Sequence, residues 1–327
     1  TKSYGVLINS GADVTAGGIG TINITGNGGN NLNNQNYGVH ITGAGSMVTT
    51  NSGSITVLGE GGDGNNGNQN RGVYVLTGGV IKAGGTASVT VTGNGGNGSN
   101  GANHGVDVSN TGALISSSGG NVIVTGNGGA GGQFTNGVFV NAGGAISAEL
   151  TGTITVNGLS GNANGGDHGV QVTGTNSQIT AAGGLITING TGQSALSQSN
   201  GIMVLSSGAI KNIGNGNIIL TGYASNNSNI SGGIYVQSNG KIETVNGNIY
   251  MTGYGNGGTL TQNYGIWIYQ NGIVNAGTGN ATLTGFGGDA SDIWNIGVSV
   301  STGTITGDTI TLNGTGGGGS ASSGDNY

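Results

Sequence analysis

The sequence predicts an all-β chain wound as a right-handed parallel β-solenoid (β-helix), with about ten rungs of three strands and 32–34 residues each. Three observations carry this reading. A Gly followed by Val or Ile recurs at Gly5, Gly38, Gly72, Gly105, Gly137, Gly169, Gly201, Gly233, Gly265 and Gly297, at intervals of 33, 34, 33 and then 32 six times. The first and third residues after each of these glycines are Val or Ile in all twenty cases. Of 327 residues, 79 are Gly, none is Pro or Cys, and 5% are charged, where an ordinary domain carries about a quarter charged residues. A fixed period of this length marks repeat architectures.

The first strand of each repeat is the Gly-apolar-x-apolar stretch, such as Val6/Ile8 or Val298/Val300. β-Branched residues at period two read as a strand with one face buried. A Gly-bearing turn then leads to a second strand with one apolar residue, at Val14, Val48, Ile81, Ile115, Ile146, Ile179, Ile210, Ile242, Val274 and Ile305. The third strand has an inward pair, as at Ile22/Ile24, Val89/Val91, Ile154/Val156 and Ile310/Leu312. A loop of Gly, Asn and Ser closes the repeat, and both Gly and Asn tolerate positive φ. Three strands alone would have almost no core. Winding the chain so that equivalent strands stack buries all three faces in one column, and crossover chirality makes the winding right-handed. A β-propeller, the competing repeat fold, needs four longer strands per blade. At about 4.8 Å per rung, ten rungs make a rod of roughly 45 Å.

Composition excludes several functions. Five Lys and Arg against eleven Asp and Glu, a net charge of −6, cannot build a face for nucleic acid. Without Cys there is no disulfide framework or thiolate metal site. No stretch approaches the roughly 18 apolar residues of a membrane helix, so no membrane insertion is expected. Stacked strands also explain what is missing: Pro would remove ladder donors, and like charges one rung apart would repel.

Residues 1–327 are expected to form one continuous solenoid. The first strand starts within five residues of the N-terminus, and Tyr327 falls where the residue before another Gly-Val would stand. The expectation is a segment of a longer solenoid, or a subunit that associates with itself end to end.

Repeats such as YGVHITGAGSMVTT and GVYVLTGGVIKAGGTASVTVTGNGG resemble the β-helical repeats of large secreted bacterial surface proteins, of the filamentous-haemagglutinin-like adhesin and autotransporter-passenger type. The resemblance covers nearly the whole chain, although a typical haemagglutinin repeat is shorter, at about twenty residues. It implies an extracellular or cell-surface location and a role in adhesion or spacing, without identifying a ligand or a catalytic residue.

Enzyme chemistry would need converging carboxylates, and the acids Asp107, Glu149, Asp167, Glu243 and Asp289 share no column of the repeat. The nearest approach to a constellation is His104 with Asp107, and Asp167 with His168 two rungs later, read as polar residues at a loop edge. The loop from Gly61 to Asn68 has one Asp, whereas calcium-binding β-rolls need one in every turn. Outward Thr and Asn on the third strand (Thr90/Thr92, Thr155/Asn157, Thr187/Asn189, Thr282/Thr284, Thr311/Asn313) suggest a water-ordering ladder, but Ile123, Ile219 and Tyr250 interrupt it. No catalytic residue, cofactor or metal site is expected.

The aromatics carry the strongest site signal, because ten of fifteen lie from Tyr223 onward. Tyr223, Tyr254 and Phe286 share one repeat position; Met203, Tyr235 and Trp267 share another, on the outer side of the first strand. Such ladders dock a surface glycan or a protein, unless loops cover them or they stack on one another. The expected function is a non-enzymatic structural or adhesive rod, the alternative being a β-helix that binds or processes carbohydrate.

Overall fold

A computed structural model describes residues 2–30, 35–64, 69–162, 164–194, 198–226, 230–256, 262–289 and 294–318. These contain thirty strands and no helix. The strands form three ten-stranded sheets, and each sheet takes one strand from every coil in chain order. Every pairing is parallel, and the repeat positions align: Val6 lies beside Val39, Val14 beside Val48, and Ile22 beside Ile55. The predicted solenoid is the fold. Asn65–Asn68 of the loop from Gly61 to Asn68 and the terminal residues 319–327 lie outside the described residues; within that loop, the Asp63 carboxylate accepts the Asn97 amide N–H at 2.9 Å.

The inward Val and Ile make one core running the length of the rod, with Val39, Ile81, Val124, Ile179 and Ile249 all fully buried. Each such side chain contributes roughly 1.5–3 kcal/mol by leaving water. One inward position per coil is small or polar. In successive coils the last residue of the second strand is Ala16, Thr50, Ala83, Ser117, Ala148, Ala181, Asn212 and Thr244. These residues serve the bend into the third strand. The Ser117 hydroxyl donates to the Ala87 carbonyl at 2.8 Å and accepts the Gly120 N–H at 2.8 Å, and the Asn212 amide donates to the Gly184 carbonyl at 2.6 Å. Buried bend groups are thereby satisfied by a side chain of the same or the next coil.

Two other corners have different solutions. Between the first and second strands, both central residues of the turn have positive φ, as at Thr77–Gly78 (39° and 77°) and Ala142–Gly143 (50° and 90°). The Gly79 N–H closes that turn on the Leu76 carbonyl at 3.1 Å. This is the pattern of a type I′ turn, which explains the Gly, Asn and Ser found there. Where the first and third sheets meet, the backbones touch. A Cβ on Gly126 would lie 2.1 Å from the Gly137 carbonyl oxygen, and one on Gly137 would lie 2.4 Å from the Leu159 nitrogen. The glycine that opens each repeat is therefore required for close approach rather than for an unusual φ.

In the last coil Ile310 and Leu312 are 45% and 49% exposed, whereas their partners Ala281 and Leu283 are fully buried. On the outer side of the third sheet the Thr and Asn columns are in register, and Ile123, Ile219 and Tyr250 break them as the sequence indicated.

The backbone contact can be tested with a matched pair. Gly126→Ala should destabilise the chain by about 3 kcal/mol or more, at or beyond the upper end of overpacking costs. Gly17→Ala should be close to neutral, since nothing lies within 4 Å of its Cβ position. Urea denaturation of the two variants measures the difference; equal midpoints would remove the argument.

Candidate functional site on the outer face of the first sheet

The first strand sends two columns of side chains outward. One follows the glycine by two residues: His40, Tyr74, Asp107, Phe139, Gln171, Met203, Tyr235 and Trp267 stand in consecutive coils. The other immediately precedes the glycine and includes Tyr37, Arg71, His104, Asn136, His168, Asn200 and Tyr264. Long side chains of the second column lean over the first, so much of this outer face is buried. Tyr37, Arg71, His104, Asp107, Met203, Tyr235 and Tyr264 are each less than 9% exposed.

In the lower coils the face holds an ion pair that sequence reasoning missed. Arg71 Nε lies 2.6 Å from Asp107 Oδ2. The guanidinium sits 4.1 Å from the Tyr74 ring centroid, a cation–π distance, and its Nη1 donates to the Gln69 side-chain oxygen at 3.2 Å. The Ser109 hydroxyl donates to the other oxygen of Asp107. Burial pushes the Asp107 carboxyl up against the pull of Arg71, and Asp107 in turn holds the Arg71 charge. The signal was available: Arg71 and Asp107 occupy adjacent columns of neighbouring coils. A pairing across the period is invisible when acids are compared only with one another.

His104 and His168 do the work of amides. The Nδ1 atoms of His104 and His168 accept the backbone N–H groups of Asn136 and Asn200, at 3.0 and 3.2 Å. The Oδ1 atoms of Asn136 and Asn200 accept those of His168 and Gly232, both at 2.8 Å. Asp167 accepts the Thr135 N–H at 2.6 Å, the Thr135 hydroxyl at 3.0 Å and the Gly165 N–H at 3.0 Å. His104, Asp167 and His168 thus join hydrogen bonds that tie coil to coil, whereas Asp107 is held by Arg71 and Ser109. Burial lowers the His168 pKa to about 4. Burial, with the Arg71 charge, lowers His40 to about 4 and His104 well below the usual range.

The two aromatic columns named from the sequence have different fates. Tyr223, Tyr254 and Phe286 stack face to face, at 4.7 Å and 3° and then 5.0 Å and 7°. They remain partly exposed, Tyr223 at 40%, and both faces of the middle ring, Tyr254, are covered by its neighbours. Met203 and Tyr235 are instead buried in a satellite cluster with Tyr264, against which Trp267 packs. The ring of Trp267 lies between Tyr264 (4.5 Å, 15°) and Tyr269 (4.6 Å, 20°), with Tyr235 edge-on at 5.1 Å.

Over this cluster lies a cavity of about 300 Å³ with Met203, Tyr235 and Trp267 in its floor. Gln198, Ile230 and Gln262 line it on the side where the loops enter the strands. All three have positive φ, 27°, 65° and 74°, and for a β-branched residue such as Ile230 that is a strained conformation. Gln237 and Gln270 line the side where the strands leave. Among the described residues no group of three or more His, Asp or Glu is placed to hold a metal ion.

The neutral buried histidines make stability depend on pH with a definite sign. The unfolded chain protonates His168 below about pH 6.5, whereas the folded chain resists down to about pH 4. Stability is therefore intact above pH 6.5 and falls as pH drops from 6.5 to 4, by about 3 kcal/mol for this residue. His168→Asn keeps the acceptor, as Asn136 and Asn200 do one coil away. Its melting temperature should lose less than the wild type across that interval. Parallel pH profiles for the two proteins would show that His168 is not held neutral.

The chain matches no protein-family model, no curated protein and no solved structure.

Proposed function

We propose that this chain is a non-enzymatic rod that works outside the cell, as a stiff spacer or adhesive stalk at a surface. The observation that carries the reading is the unbroken register of three ten-stranded parallel sheets. Each interior coil is hydrogen-bonded to both neighbours in all three sheets, so bending the rod would stretch three ladders at once. The buried columns of Asn, His, Asp and Ser add side-chain links between coils along one edge. Such an object supplies length and stiffness at low sequence cost.

The fate of the charged groups supports a structural role. Asp107 is paired with Arg71, and Asp167 accepts two hydrogen bonds from Thr135 of the neighbouring coil and one from Gly165 of its own loop. Glu149 faces Lys82 at 2.8 Å and Glu243 faces Lys211 at 3.7 Å. None of these four carboxylates is left to act as an acid or base beside another. The repeat pattern also resembles filamentous-haemagglutinin-like adhesins, which supports surface display. Continuation of the solenoid, or end-to-end association with a second copy, would cover the apolar Ile310 and Leu312.

A second reading, carbohydrate binding, is favoured by the aromatic and amide lining of the cavity, and it is compatible with a rod.

Antibodies raised against the folded chain test the main reading by immunogold electron microscopy of the source cells. Gold should decorate the outer surface or material projecting from it. Label confined to the cell interior would overturn the proposal.

A further inference from the structure

We propose that the cavity over Met203, Tyr235 and Trp267 is a binding site for a neutral saccharide of one or two pyranose units. Its volume, about 300 Å³, is at the small end of the roughly 300–1,000 Å³ range of small-molecule sites.

The lining specifies the chemistry. Four of the ten glutamines in the chain converge here, at positions 198, 237, 262 and 270. Every primary amide offers both a donor pair and an acceptor, which matches vicinal hydroxyls that donate and accept. Among the described residues no Lys, Arg, Asp or Glu lines the cavity, so an ionised ligand finds no counter-charge there. One amide is already held in place: Gln270 donates to the Tyr269 hydroxyl at 3.1 Å and accepts from the Ser238 hydroxyl at 3.0 Å.

The apolar surface is equally specific. Tyr269 ends the stack that runs through Trp267 to Tyr264, and among the described residues no further ring stacks on its second face. That face can take the C–H surface of a sugar ring. The Tyr235 hydroxyl is buried and finds no hydrogen-bond partner among the described residues.

A peptide is the other neutral candidate, and the sheet disfavours it. The strands beneath the cavity pair with a neighbour on both sides, so no backbone edge is free for strand addition. The stacked Tyr223, Tyr254 and Phe286 form a second aromatic surface, and none of the three lines this cavity.

This inference goes beyond the rod. Surface labelling can succeed when no saccharide binds, and saccharides can bind a chain that is never displayed, so the two experiments fail independently.

The test is saturation-transfer NMR on the intact chain. The probes are glucose, galactose, mannose, N-acetylglucosamine, cellobiose, chitobiose, glucuronic acid and an uncharged, end-blocked Gly-Asn-Gln peptide. Transfer to at least one neutral saccharide is expected, with weaker transfer to glucuronic acid. Gln237→Ala and Tyr269→Ala should each weaken binding by about tenfold or more, a loss of about 1.4 kcal/mol, with the melting temperature unchanged for Gln237→Ala and lowered for Tyr269→Ala by the lost stack on Trp267. Gln237 is the safer variant, since it removes an amide at the cavity wall and no part of the aromatic stack. Tyr223→Ser should bind like the wild type. Transfer to the peptide alone, to no probe at all, or equally in wild type and Gln237→Ala would overturn the proposal, as would loss of binding in Tyr223→Ser.

Discussion

The structure depends on one close contact, that of backbone against backbone where the first and third sheets meet. Along this seam the glycine opening each repeat lies against the glycine near the end of a third strand, and either Cβ would fall 2.0–2.4 Å from a main-chain atom at positions such as Gly126, Gly137, Gly158 and Gly169. The contact makes the corner sharp enough for three strands to enclose a column of Val and Ile with no space left over. It also dictates the period, because every coil must return its glycine to the same place. Loops between the third and first strands vary in sequence, but they start and finish at this seam.

The outer face of the first sheet shows how a nearly uncharged chain buries polar groups. Each coil presents a backbone N–H that the coil's own strand does not satisfy, and an Asn, His or Asp of a neighbouring coil accepts it. These residues interchange because the role needs one acceptor, not a charge. Where charge does enter, at Arg71 and Asp107, it enters as a pair with aromatic rings around it. Such a pair is costly to break, since it leaves a buried charge unmatched. Conserving charge in this way keeps the face neutral, and neutrality selects what the cavity farther along can hold.

The candidate site was half legible. The period alone put Met203, Tyr235 and Trp267 in one column and Tyr223, Tyr254 and Phe286 in another, and both registers hold. Which column leaves aromatic surface available was not legible, since it depends on ring planes. The second column closes on itself with interplanar angles of 3° and 7°. The first turns edge to face and sinks beneath Tyr264, so Tyr269, a residue not singled out in the sequence, ends the stack at the cavity. The glutamines at the cavity rim escaped notice because they come from three coils and three repeat positions.

By itself the sequence determined the all-β class, the coil of three strands, the register of every sheet and the inward residues. Those follow from a strict period and from β-branched alternation, both of which are local and repeat ten times. The tertiary structure alone decided the pairing of Arg71 with Asp107, the neutral acceptor role of His104 and His168, and the position of the cavity. Each of those arises where side chains of different coils meet, and rotamer and ring orientation set a contact that the period brings within reach but does not fix.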